Sequence, residues 1–295
     1  MATAYSKSGR EIFDSSDGWR DLANRVQLAD ARWPILVIGG VDTGKSTLVS
    51  YLQRVLGEHE RVARIDADVG QSVIGPPGTV ALTYPPEKEA ADRSSDVCRF
   101  VGDISPSGNL LQVLTAVVSL VKRARGDRIV VDTSGFVYGR AAEEFKYHLI
   151  EMVKPAVVVA IEKEQHELNT LLHPFRKDPG VNIHRIAADA ENLRQKTRAE
   201  RGNYRIEAFQ SYFKHAQNVE LDLTSRAVHG FAPHGQDACE EGRVIGLLDN
   251  NHDMLTLALE RKYDPESETL LCLTPRVETA RITNIQYGKL VLKEF

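Results

Sequence analysis

Gly39, four intervening residues and then Gly44-Lys45-Ser46 reproduce the spacing of a phosphate-binding loop, G-x-x-x-x-G-K-[ST]. Each residue type has a task. Glycine lets backbone N–H groups turn toward phosphate oxygens with no Cβ in the way. A helix that starts near Lys45 aims its unpaired N–H groups at the same place. The predicted cradle is Gly40, Val41, Asp42, Thr43, Gly44, Lys45, Ser46 and Thr47, with Lys45 on the terminal phosphates and Ser46 a ligand for Mg²⁺. Two further segments end in acid: "RVARIDADVGQS", with Asp66 and Asp68, and "RIVVDTSGF", with Asp132, Thr133 and Ser134. Either acid end can hold Mg²⁺, and spacing does not choose between them. Asp66 and Asp68, two apart on a strand, face the same way, which suits one carboxylate for metal and one to accept a hydroxyl proton. Gln71, in the loop that follows, can orient a water or a hydroxyl. Arg194, Arg198, Arg201 and Arg205 fall at intervals of four, three and four, the spacing of one helix face. Four guanidinium groups in a stripe suit phosphates.

These groups need a scaffold. Between about 34 and 161, strand-like runs (34–39, 61–66, 79–83, 98–102, 128–132, 156–161) alternate with helical ones (45–57, 108–125, 140–153, 164–172). That alternation predicts an α/β fold of the P-loop NTPase type, a mostly parallel sheet flanked by helices. The strand–turn–helix context of the glycine loop agrees with it: Pro34–Ile38 is apolar, and Leu48, Tyr51, Leu52, Val55 and Leu56 recur at helical spacing. Residues 1–33 read as a helical extension capped at Ser15, Ser16 or Asp17, and a long polar helix is predicted at about 189–214. Gly202 weakens that helix by ~1 kcal/mol relative to Ala. Short strands with Gly, Asp and Pro turns then mark a small β-rich domain. The expected division is 1–33, a P-loop domain over 34–216 that carries the arginine helix as a lid, and 217–295.

A chain of 295 residues with a net charge of −4 offers no global pull toward nucleic acid, so such a site must be local. No apolar run reaches membrane-spanning length, and "MATAYSKSGREIF" has no apolar signal core. Cys98, Cys239 and Cys272 are too scattered for a disulfide framework or a metal site, and they suit a reducing cytosol.

Five segments in order, "GGVDTGKSTL", "DADVGQSVIGPPGTVAL", "GDISPSGN", "DTSGFVYG" and "RQKTRAERGNYR", resemble the polynucleotide 5′-hydroxyl kinases of RNA processing, P-loop enzymes related to the cleavage-factor and ribosomal-RNA-processing kinases. The resemblance covers about residues 33–215. It implies an ATP-dependent (or other NTP-dependent) and Mg²⁺-dependent kinase acting on the 5′-hydroxyl end of RNA or DNA. It also implies that Asp68 is the base and a Mg²⁺ partner, that Arg194 and Arg198 are lid arginines on the transferring phosphate, and that "TSGF" matches the family's T-x-G-W clasp. Thr133 and Gly135 are retained there, and Phe136 stands where the family has Trp; Gln71, Thr133, Gly135 and Phe136 would then face the nucleic acid. Phe still stacks on a base, over less area. With residues 1–33 ahead of the first strand, the chain resembles a minimal, prokaryotic member without the sizeable N-terminal domain of the larger eukaryotic relatives. The rival readings are an NTPase switch and a nucleotide-binding scaffold, neither of which needs an acceptor base or a nucleic-acid clasp.

Overall fold

The computed structural model describes residues 12–13, 15–28, 33–84, 96–124, 127–189, 194–230 and 239–293. In chain order the first strands and helices are β1 (Ile12–Phe13), α1 (Ser15–Leu28), β2 (Ile35–Gly39), α2 (Lys45–Leu56), β3 (Val62–Ala67), β4 (Thr79–Thr83), β5 (Val97–Phe100), α3 (Leu110–Arg123), β6 (Arg128–Thr133), α4 (Arg140–Val153), β7 (Val157–Glu162), α5 (Asn169–Leu172) and β8 (Asn182–Ala187). An eight-stranded sheet runs β1-β8-β7-β2-β6-β3-β4-β5, and every pair among its first six strands is parallel. Such strands are covered on both faces, and β2, β3, β6 and β7 are accordingly buried along their whole length. The core beside β2 is filled by Leu48, Leu52 and Leu56 of α2 and by Leu22, Ala23 and Val26 of α1. Trp19 lies against Tyr51, ring centroids 5.6 Å apart. Arg128, almost fully buried at the start of β6, donates to the Val26 and Gln27 carbonyls at the end of α1 (3.4 and 3.5 Å) and to Glu60 (2.8 Å).

The remaining elements are α6 (Arg198–Phe213), β9 (Gln217–Asp222), β10 (Ala227–His229), β11 (Arg243–Leu248), β12 (Met254–Asp264), β13 (Thr269–Thr274) and β14 (Asn284–Val291). A second sheet of six strands runs β10-β14-β11-β12-β13-β9, antiparallel except for the β10–β14 pair. Phe209 and Phe213 of α6 pack into its core with Val244, Leu257 and Leu259. The chain forms two compact units that interleave along the sequence rather than divide at residue 216. One comprises Met1–Asp68, Leu82–Asp96 and Pro106–Lys196; the other comprises Val69–Ala81, Val97–Ser105 and Thr197–Phe295, so α6 groups with the second sheet. Among the described residues, no helix is long and apolar enough to cross a membrane.

Several expected boundaries shift. The polar helix predicted from 189 begins at Arg198, because Thr197 and Glu200 close a capping box there. The Thr197 hydroxyl accepts from the Glu200 N–H at 3.1 Å, and the Glu200 carboxylate accepts from the Thr197 N–H at 2.7 Å. Arg194 therefore lies ahead of the helix, and the stripe is Arg198, Arg201 and Arg205. The helix expected over 164–172 is regular only over Asn169–Leu172, after a turn in which His166 has a φ of 68°. Helix α1 already includes Ser15, Ser16 and Asp17, so none of them is its cap. The strand β8 was not foreseen.

Candidate active site

Strand β2 delivers the glycine loop and α2 leaves it. The turn depends on Gly44, whose φ of 86° lies in the left-handed region, directly before the helix starts at Lys45. Thr43 Oγ1 donates to the Gly40 carbonyl at 3.0 Å, and Lys45 Nζ donates to the same oxygen at 2.6 Å. Burial lowers the pKa of Lys45, with Asp132, Asp68 and Asp42 opposing the shift. Asp42 accepts from the Lys196 N–H at 3.0 Å, which seats the end of the first unit's chain on this loop.

The two acid-bearing strand ends are neighbours: β3 and β6 pair in parallel with Asp66 opposite Asp132. Their acids play different parts. Asp66 is buried, and its Oδ1 accepts the Asp68 N–H at 3.1 Å, an Asx turn that shapes the strand exit. Asp132 is the acid that faces Ser46. Its Oδ2 takes Arg64 at 3.2 Å, and Arg64 in turn donates to Ser50 Oγ (3.0 Å), which donates to the Ser46 carbonyl (2.8 Å). Burial raises the pKa of Asp132; the Ser46 hydroxyl, Arg64 and Lys45 oppose the rise, and Asp68 adds to it. Among the described residues, the fully buried Asp132 Oδ1 has no hydrogen-bond partner. An orphaned carboxylate oxygen beside a serine hydroxyl, at the mouth of a phosphate loop, fits a hard divalent cation completed by phosphate and water. Half-buried Asp68 acts electrostatically on Lys45, Asp132 and Lys146, so it shares their pocket.

The turn after β6 rests on the phosphate loop. A Cβ on Gly135 would meet Val41 Cγ2 at 2.6 Å and the Val41 backbone N at 2.8 Å. Phe136 follows, half-buried. Thr133 does not present its side chain to an acceptor: it is 1% exposed, and its hydroxyl donates to the Val37 carbonyl at 2.9 Å, tying β6 to β2. Tyr138, exposed, reaches back toward Gly40 and hydrogen-bonds Glu167.

Sequence reasoning missed Lys146. It sits in α4 among Ala142, Phe145, Leu149 and Ile150, fully buried, and donates to the Ser134 carbonyl at 3.2 Å. Burial pushes its pKa down to about 7, and Lys45 pushes the same way, against Asp68 and Asp132. The available signal was a lysine inside an apolar stripe.

The first unit thus brings together Lys45, Ser46, Asp68, Asp132, Lys146, Gly135 and Phe136, with Arg194 exposed ahead of α6. Gln71 and Arg198 belong to the second unit. There the Gln71 amide donates to the Gly70 carbonyl (2.8 Å) and the Arg201 carbonyl (3.3 Å), and Tyr204 donates to the Ser72 carbonyl (2.6 Å). Arg198 is exposed.

A parallel sheet, a glycine loop that opens a helix, and a buried acid facing the loop's serine define a P-loop nucleotide-binding protein. The family model described as mRNA cleavage and polyadenylation factor CLP1 P-loop matches residues 39–215. The chain belongs to that family. A polyribonucleotide 5′-hydroxyl-kinase of Pyrococcus furiosus is 35% identical over 217 residues, 72% of this chain and 59% of that protein. One of Methanocaldococcus jannaschii is 32% identical over 88% of this chain and 87% of its own length. The chain thus spans less than two thirds of the Pyrococcus relative and most of the Methanocaldococcus one. In fold, it is similar to Clp1p as solved in complex with a Pcf11p segment: TM-score 0.68, 13% identity, 92% of this chain and 78% of that one.

Proposed function

We propose that the protein is an ATP- and Mg²⁺-dependent kinase that phosphorylates the 5′-hydroxyl end of RNA. The observation that carries this reading is the parallel pairing of β3 with β6, which sets the strand ends bearing Asp68 and Asp132 side by side, with Lys45 and Ser46 within their electrostatic reach. An NTPase switch needs one acid for its metal; a second acid at the same site suits the proton of an acceptor hydroxyl. The names of the archaeal relatives support a polyribonucleotide acceptor.

Lys45 and the loop N–H groups hold the terminal phosphates. Ser46 and Asp132 would hold Mg²⁺, which when bound neutralises charge on the phosphates. This assigns the metal-holding carboxylate to Asp132 and leaves Asp68 as the base. Asp68 takes the proton of the 5′-hydroxyl as its oxygen bonds to the γ-phosphorus and the bond to the β-phosphate oxygen breaks. Arg194 and Arg198 are assigned to the charge of the transferring group, and Phe136 to the terminal base.

The test is incubation with γ-labelled ATP and 5′-hydroxyl RNA and DNA oligonucleotides. Label at the RNA 5′ end, lost in a folded Lys45→Ala variant, is the expected result. Release of inorganic phosphate with no end-labelling of either oligonucleotide would replace the kinase by an NTPase.

A further inference from the structure

Lys146 is a buried charge to which the steps above give no work. Its amine is sealed from solvent; among the described residues it donates to one backbone carbonyl, that of Ser134, at 3.2 Å, and lies 5.4 Å from the centre of the Phe145 ring. Burying an ammonium with so few partners is unfavourable, and a methionine of similar volume would fill the same stripe of α4 without desolvating a charge. The placement shows what the amine holds. The chain leaves β6 at Thr133, turns through Ser134, Gly135 and Phe136, and enters α4 at Arg140. Thr133 is fixed at one end by its bond to Val37, and Val137 is buried at the other. Between them Gly135 has no side chain, and a Cβ added there would collide with Val41 of the phosphate loop. The Ser134 carbonyl is where the helix reaches back, across twelve residues, to grip the turn.

We propose that Lys146 is a positioning residue for acceptor binding: its ammonium anchors the Ser134 carbonyl, and so holds the Ser134–Phe136 turn on the phosphate loop with Phe136 presented to the 5′-terminal nucleotide. This rests on the kinase reading for the identity of the acceptor, but the anchoring of the turn does not. Asp68 and Asp132 favour the charged amine, whereas Lys45 and burial disfavour it. The site that needs the turn therefore also supplies the carboxylates that oppose loss of the anchor's charge.

The test compares Lys146→Met, which removes both hydrogen bond and charge, with Lys146→Gln, which keeps a donor. Three measurements are made on each: melting temperature, ATP·Mg affinity by calorimetry, and the acceptor KM and kcat for end-labelling an RNA oligonucleotide. Amide hydrogen exchange at Gly135, Phe136 and Val137 is followed in parallel. Lys146→Met is expected to melt no lower than the wild type and to bind ATP·Mg within twofold of it. Its acceptor KM rises at least about fivefold, and the three amides exchange at least about tenfold faster, as loss of one buried hydrogen bond implies. Lys146→Gln recovers most of both. Wild-type exchange and wild-type acceptor KM in Lys146→Met overturn the proposal, as does a fall in kcat alone, which would make the charge itself the contribution. Failure of either variant to fold assigns Lys146 to the core and also overturns it. If the wild type labels no oligonucleotide, the kinase reading fails, and the exchange data alone decide whether Lys146 anchors the turn.

Discussion

Gly135→Ala puts a methyl group at a place with no room for it. The new Cβ would lie 2.6 Å from Val41 Cγ2, 2.8 Å from the Val41 N and 2.9 Å from its Cα. The side-chain methyl can rotate away; the backbone N and Cα cannot. A comfortable carbon contact is about 3.5–4.0 Å, so the loop and the turn must separate by roughly 0.6 Å or more. Overpacking of this kind costs about 1–3 kcal/mol. Val41 is one residue beyond Gly40, whose carbonyl receives both Thr43 and Lys45, so displacement there disturbs the cradle itself. We expect ATP·Mg affinity to fall at least about tenfold, equivalent to about 1.4 kcal/mol, and the melting temperature to fall by about 2–8 °C. Gly139→Ala is the control. That glycine has a φ of 85°, but nothing lies within 4 Å of its added Cβ, so the substitution strains the backbone without touching the phosphate loop. Calorimetry with ATP·Mg and thermal melts on both variants decide the matter. If Gly135→Ala binds ATP·Mg within twofold of the wild type, the turn does not brace the loop and the reasoning is wrong.

Asp132→Asn should weaken Mg²⁺-dependent nucleotide binding, whereas Asp68→Asn should leave it within a few-fold and slow single-turnover transfer by about 10²-fold or more; the reverse pattern would exchange their roles. Arg198→Ala and Arg194→Ala should bind ATP nearly normally, yet transfer phosphate at least about 10²-fold more slowly, and unchanged turnover in both would reduce these arginines to solvated charge. The pH dependence of stability follows from Lys146. Its folded pKa of about 7 lies below the unfolded value near 10.5, so between these limits the unfolded chain binds the extra proton. Stability relative to Lys146→Met should rise with pH across that window and level off below it; a flat difference in denaturant midpoints from pH 7 to 10 would contradict the shift.

The phosphate loop was legible because its glycines, its lysine and its flanking periodicities are all local. The assignment of acids was not. Asp66, Asp68 and Asp132 all end strands, and only the pairing of β3 with β6 shows which of them faces Ser46 and which caps a turn. The start of α6 was misjudged for a different reason. Arginine spacing is indifferent to where a helix begins, whereas T-x-x-E at Thr197–Glu200 is a start signal, and it was in plain view. Strand β8 stayed hidden because Arg185 at its centre looks like a surface residue; Glu162, 23 positions away, pairs with it in the interior. Lys146 is the same lesson at the site. A lysine among apolar neighbours is ordinarily assigned to solvent, and nothing local tells that its amine ends on a carbonyl 12 residues earlier.

The grip of Arg128 on the end of α1 bears on how this protein can be trimmed. By sequence, the piece ahead of β2 reads as an appendage that could be removed to obtain a smaller catalytic module. Yet Leu22, Ala23 and Val26 line the core behind the phosphate loop's own strand and helix, and Arg128 completes its hydrogen bonding on the Val26 and Gln27 carbonyls. A shortened version beginning at β2 would strip an apolar face from α2 and take two hydrogen-bond acceptors from a buried guanidinium. The smallest portable form therefore starts before Ser15, and a fusion partner or affinity tag is better joined upstream of α1 than grafted in its place.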